Sequence, residues 1–131
     1  KPIAVAELEE YDAVAFAIPG KPVGAHAVTS LVARPFFTGS ASLPTVSAEM
    51  ARSVDIATPG FAYAIPVSLD DGTAMPLGHA DSALSVYEEA FDPSVLSSST
   101  RATRADGFVL TGEGVERGQM VDVVPYPAVE K

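Results

Sequence analysis

Proline recurs along the whole chain: eleven of the 131 residues are proline, from Pro2 to Pro127. Because proline lacks a backbone N–H and clashes with the preceding turn, it ends or kinks a helix. This distribution excludes an all-helical protein. The length is that of one ordinary domain, so the sequence predicts a mainly β fold with one or two short helices, arranged as a small β-sandwich or barrel.

Alternation of large and small apolar residues predicts the strands. From Asp12 to Ile18 large side chains alternate with alanine, which indicates a strand that carries its large residues on one face. Pro19-Gly20 ends this strand. Further strands are predicted at Val28 to Ala33, Gly107 to Thr111 and Met120 to Val124.

A hairpin is predicted in the middle of the chain. Phe61 to Leu69 alternates in the same way, and Asp70-Asp71-Gly72-Thr73 supplies the turn before Ala74 to Leu77. Pro66 removes one ladder donor, so we expect its strand to be bulged or to lie at a sheet edge.

Helical spacing is clearest near residue 90. Asp81 or Ser82 can cap a helix that ends after Phe91, at Asp92-Pro93. A shorter helix is expected near Ser47 to Val54. The polar stretch from Ser97 to Arg104 indicates an exposed loop.

The sequence contains an internal echo. Ala15-Phe16-Ala17-Ile18-Pro19 matches Ala62-Tyr63-Ala64-Ile65-Pro66, and the patch Pro22 to Ala27 matches Pro76 to Ala80. The echo predicts a possible two-fold repeat, with units 13–37 and 60–91 inside one domain spanning 13–124. Residues 1–12 are expected to form an extended acidic arm, and residues 125–131 a C-terminal tail.

Charge disfavours several classes of partner. Seventeen acidic against eight basic residues give a net charge of −9, and the basic residues are scattered. Nucleic acids and anionic membranes require clustered Lys and Arg, so neither is an expected partner. The acidic run at Glu7, Glu9, Glu10 and Asp12 either is a solvated edge or contacts a basic protein surface.

Residues that could support catalysis are few. The chain has no cysteine and no G-x-S-x-G motif. His26 and His79 occupy equivalent places in the echo and are weak candidates for a metal site, although no spacing places two ligands on one element. We therefore predict no cofactor, no metal and no enzymatic activity.

Both ends of the chain suggest contacts with a protein partner. An extended arm with alternating apolar residues can add a strand to a partner's sheet; the alternative is that the ends pack on their own domain or fray. The predicted partner-binding residues are Ile3, Val5, Glu7, Glu9, Glu10, Arg101, Arg104 and Tyr126.

The segment Tyr63-Ala64-Ile65-Pro66 through Asp70-Asp71-Gly72-Thr73-Ala74-Met75-Pro76-Leu77-Gly78 resembles the β-units of tailed-phage head decoration (cement) proteins. The Ala/Val/Thr/Gly/Pro-rich, acidic, cysteine-free composition is similar to theirs as well. The resemblance implies a non-enzymatic protein on the outside of the virion. It would bind the major capsid protein through extended arms, often as a homotrimer.

Three functional hypotheses follow. The first is a structural protein that stabilises a larger assembly, most specifically a capsid cement protein. The alternative is a small β-barrel ligand-binding domain or non-catalytic subunit of an enzyme complex, with a pocket lined by Phe16, Tyr63, Phe108 and the two histidines. A metal-dependent enzyme using His26 and His79 is a third hypothesis.

Overall fold

The computed structural model describes residues 3–79, 90–91 and 104–126. Within these ranges strands dominate, and the helical elements all lie in the first 38 residues. The strands are Ala4–Leu8 (β1), Ala13–Ala17 (β2), Val46–Met50 (β3), Asp55–Ile56 (β4), Tyr63–Asp70 (β5), Thr73–Pro76 (β6), Ala90–Phe91 (β7), Gly107–Thr111 (β8) and Met120–Pro125 (β9). The helices are Pro22–Val28 (α1) and Arg34–Thr38 (α2), joined without a break by the π-helical turn Thr29–Ala33, and a 3-10 turn at Glu9–Tyr11. We refer to residues 22–38 as the helical segment.

Five strands close into a barrel in the order β3-β6-β5-β8-β9. β3 closes it by pairing antiparallel with β9, where Val46 lies opposite Val123, and parallel with β6, where Met50 lies opposite Ala74. The other neighbours are antiparallel. The predicted class, a mainly β chain forming a small barrel, is confirmed. Closure leaves none of these five strands with an open edge.

The period-two pattern of the strands separates two hydrophobic clusters. Ile65, Val67, Val109 and Val123 belong to the first cluster, together with Met50, and all are buried. The intervening positions belong to the second cluster. It contains Phe108, Val124 and Tyr126, with Leu31 of the helical segment and Leu43, Ala64 and Leu77 packed against them. The first cluster thus fills the barrel and extends to Val23 of the helical segment, and the second joins the barrel wall to Leu31 of that segment.

β1 and β2 form a separate antiparallel ribbon, with Val5 opposite Phe16 and Leu8 opposite Ala13. The large residues of β2 face the helical segment, as their alternation predicts. Phe16 packs edge-on against Phe36 with ring centroids 5.4 Å apart and against Phe37 at 6.1 Å. Residues 4–8 were expected to lie in an extended arm, but their backbone is paired with β2.

Several predicted elements are confirmed: β2, the β5–β6 hairpin with its Asp-Asp-Gly turn, β8 and β9. Two are wrong. Val28 to Ala33 is helical instead of a strand, because Val23, Ala27 and Leu31 recur at four-residue spacing and pack on the barrel. Ser47 to Val54 is not a helix, because residues 47–49 pair with β9 and Met50 pairs with β6.

The predicted helix from residue 82 lies mostly outside the described residues. Its last two residues, Ala90 and Phe91, form β7 and pair in parallel with β4. The loop from Ser97 also lies outside, apart from Arg104.

Pro66 lies in the middle of the barrel wall, in an unbroken register with β8, so its strand neither lies at an edge nor is bulged there. It lies opposite Phe108 in the β5–β8 ladder, and its carbonyl accepts the Leu77 N–H at 2.9 Å. The first patch of the echo lies mostly in a strand in both copies, but the second patch adopts different structures. Pro22 begins a helix, whereas Pro76 ends strand β6, so similar sequence does not produce a structural repeat here.

Candidate binding site

An apolar groove of about 600 Å³ lies between the helical segment and the barrel wall. The helical segment supplies one wall, β5 and the residues just before it supply the other, and Ile3, Phe91 and Leu110 complete the lining. The lining residues are Ile3, Val23, Gly24, Ala27, Val28, Leu31, Val32, Phe61, Ala62, Tyr63, Ala64, Phe91 and Leu110.

The groove is apolar throughout its described lining. None of the thirteen residues carries a formal charge, and Tyr63 brings the single side-chain hydroxyl among them. That hydroxyl donates to the Thr58 carbonyl at 2.9 Å, and the Tyr63 ring packs edge-on against Phe91 at 6.1 Å. Phe61 is 64% exposed at the rim. Such a surface favours an apolar group and offers no acid or base for catalysis.

The start of the helical segment lies at one end of this groove. After β2, the loop Ile18–Lys21 leads into Pro22 at the first helical position, and the Ala25 N–H donates to the Lys21 carbonyl at 2.9 Å. Val23 and Gly24, in the first turn, line the groove. Gly24 allows the first helical turn to lie close to Pro19, because a Cβ at position 24 would lie 3.2 Å from the Pro19 side chain.

The electrostatics of this helix start favour an anion. The N–H groups of a first helical turn lack helical acceptors and carry partial positive charge. No acidic residue lies in that turn, and Lys21 directly precedes it. Lys21 itself is not among the residues that line the groove, so Val23 and Gly24 of the first turn connect this helix start to the apolar wall.

The predicted partner-binding residues at the N-terminal end are all exposed. Ile3 lines the groove, and Val5 lies on β1. Glu7 and Glu9 line a second recess of about 460 Å³, which Asp12 and Phe36 also border. Glu10 lies in the 3-10 turn.

The predicted contact residues at the other end behave differently. Tyr126 is 4% exposed, so its side chain belongs to the core instead of a contact surface. The reason is its packing: its ring lies 4.0 Å from that of His26 and 5.6 Å from that of Phe108. Arg104 is exposed, and Arg101 lies outside the described residues.

Both histidines pack against other parts of the fold. His26 lies on α1 against Tyr126, and His79 is buried after β6. In the part of the chain that the structure describes, no group of three or more His, Cys, Asp or Glu side chains could hold a metal ion. The described geometry therefore offers no support for the hypothesis of a metal-dependent enzyme.

The aromatic residues predicted to line one barrel pocket lie in three different places. Tyr63 lines the groove, Phe16 packs on Phe36 at the ribbon, and Phe108 is fully buried in the second cluster. Sequence reasoning missed Lys21 and the helical wall of the groove. Two signals could have found them: Pro22 after Gly20-Lys21 as a helix start, and the four-residue spacing of Val23, Ala27 and Leu31.

Comparisons with known proteins bear on the fold. No protein family matches the sequence, and no curated protein matches it either. Among solved structures, the chain is similar to the molybdopterin biosynthesis MoeA protein from Pyrococcus horikosii, with a TM-score of 0.67 and 22% sequence identity. The match covers 96% of this chain and 29% of that chain. At this identity the similarity concerns the fold.

None of these comparisons bears on phage decoration proteins, so the capsid function, the trimer and the virion location stay predictions.

Within the described ranges, no helix has the length and apolar character needed to cross a bilayer.

Proposed function

We propose that this chain is a non-catalytic binding module of a longer biosynthetic protein of the MoeA type. In this proposal the apolar groove receives the ring of a ligand, and the helix start with Lys21 receives its anionic end. The observation that carries the proposal is the continuity of the groove with that helix start through Val23 and Gly24.

The chemistry of the groove supports ligand binding over catalysis. Among the residues that the structure describes, its lining has no carboxylate, imidazole or amine that could transfer a proton. Its volume of about 600 Å³ lies within the range of small-molecule sites. A planar ring would gain free energy by leaving water against Phe61 and the valines of the helical wall.

The fold similarity supports the proposal that this chain is part of a longer biosynthetic protein. The MoeA protein to which the fold is similar acts, according to its name, in molybdopterin biosynthesis. This chain covers 29% of that protein. A module of this size would contribute one wall of a site and leave the reacting groups to the rest of the polypeptide.

The test uses 8-anilinonaphthalene-1-sulfonate, a fluorescent probe that combines apolar rings with one anionic group. We expect Phe61→Ser to raise the Kd of the probe about fivefold, since it removes roughly 1 kcal/mol of apolar contact at the rim. Phe37→Ser is the matched control, because Phe37 is 76% exposed but does not line the groove.

Lys21→Gln tests the anionic end. It should raise the Kd of the probe about threefold at low salt and by less at high salt, because a partly exposed charge is screened. Arg117→Gln, which removes an exposed positive charge elsewhere, should leave the Kd unchanged. Equal effects of Phe61→Ser and Phe37→Ser, or of Lys21→Gln and Arg117→Gln, would contradict the proposed site.

A further inference from the structure

The ribbon formed by β1 and β2 has an exposed face that carries no polar side chain. One face bears Val5, Glu7, Val14 and Phe16, and its Phe16 packs against the helical segment. The opposite face consists of alanines and one leucine, all exposed: Ala4, Ala6, Leu8, Ala13, Ala15 and Ala17.

An antiparallel sheet with one face in water places polar residues on that face. This ribbon does not, since Ala13 to Ile18 is an unbroken apolar run. Strands with such runs are typical of sheets covered on both faces, and a two-stranded ribbon by itself is only marginally stable. The ribbon therefore has the composition of a central sheet with only one of its two layers present among the described residues.

We propose that an amphipathic α-helix covers this alanine face, and that the helix comes from the same longer polypeptide. The proposal rests on the proposed function in one respect, the existence of that polypeptide. A helix fits because Phe16 on the other face of the ribbon already packs against Phe36 and Phe37 of the helical segment, and helices on both faces are the usual layering of such strands. Alanine side chains also let a helix backbone approach closely.

The size of the face decides between a tethered helix and a second molecule. Two strands about 4.8 Å apart and about 17 Å long present roughly 160 Å² of surface. A stable contact between separate proteins buries about 800 Å² on each partner. A tether supplies the missing affinity through effective concentration. Two copies of this chain would in addition bring together two net charges of −9.

The absence of cysteine from the chain gives a direct test. Ala15→Cys places a thiol in the centre of the alanine face, and Ala41→Cys places one in an exposed loop as a control. Both variants are prepared as the 131-residue chain and as the full polypeptide that its gene encodes. Labelling by N-ethylmaleimide is then followed at each position by peptide mass spectrometry.

We expect position 15 to label rapidly in the 131-residue chain and at least about tenfold more slowly in the full polypeptide, because a packed helix must open before the thiol reacts. Position 41 should label at similar rates in both. Rapid labelling of position 15 in both forms would overturn the proposal. So would an encoded polypeptide with no residues beyond these 131.

Slow labelling of position 15 in the 131-residue chain that becomes faster on dilution would assign the face to a second copy and would equally overturn the proposal. The probe titrations of the groove are independent of this experiment. A failed titration with a protected position 15 rejects the binding function alone, and the reverse result rejects the helix alone.

Discussion

Replacing Gly107 tests how tightly β8 and β9 are packed. A Cβ at this position would overlap the Val124 carbonyl oxygen and would lie 3.0 Å from both the Pro125 Cα and the Val123 Cγ1. The first two are backbone atoms of the adjacent strand, so no rotamer change relieves the overlap. β8 is also held on its other side by β5, so the strand cannot shift freely.

We expect Gly107→Ala to lower the free energy of unfolding by about 2 kcal/mol. Overpacking a rigid site costs roughly 1–3 kcal/mol, and the upper part of that range applies when the obstacle is backbone. The lower entropy of the unfolded alanine chain offsets about 0.4–1 kcal/mol of this cost. The measurement is urea unfolding followed by far-ultraviolet circular dichroism, with the midpoint shifting at constant m-value.

Gly112→Ala is the matched control, because its nearest neighbour would be the Phe61 carbonyl oxygen at an ordinary 3.7 Å. This variant should be as stable as the parent or slightly more stable. Were Gly107→Ala to unfold at the parent midpoint, or Gly112→Ala to lose as much stability, the packing argument would be refuted.

Two further predictions concern the core and the hairpin. Phe108→Ala should lower the free energy of unfolding by about 3–5 kcal/mol, because Phe108 is fully buried; Phe36→Ala, at a residue 56% exposed, should cost much less, and similar losses from both in calorimetry would count against the second cluster. Gly72→Ala should cost about 1 kcal/mol, because Gly72 has a φ of 78° and alanine is strained there. Gly20→Ala has neither strain nor close contact and should be neutral, so equal thermal midpoints for the two variants would contradict the turn geometry.

The elements that sequence predicted well are those specified by neighbouring residues. The alternation in Ala13–Ala17 and the Asp70-Asp71-Gly72 turn define β2 and the β5–β6 hairpin locally, since Asp71 and Gly72 both adopt positive φ angles. The prediction of a strand at Val28 to Ala33 was wrong because a short apolar run fits either a strand or a buried helix. Its assignment depends on the earlier spacing of Val23 and Ala27.

Barrel closure and the groove could not be predicted, because both depend on contacts between residues far apart in the sequence. The partners of β3 are β6 and β9, and the groove combines Ile3, the helical segment, β5, Phe91 and Leu110. Periodicity assigns a residue to one face of its own strand, but not to the neighbour across from it. For the same reason, periodicity does not show that Phe36 and Phe61 lie largely exposed.

The pairing of Val46 with Val123 also sets an order of events during synthesis. The ribbon and the helical segment precede the barrel strands in the sequence, so they are made before the barrel can close. The barrel cannot close until β9 has left the ribosome, because β3 has no antiparallel partner before then. During that interval the β5–β6 hairpin must remain soluble with its apolar face uncovered, and the acidic turn at Asp70 and Asp71 is placed where it hinders association with other nascent chains.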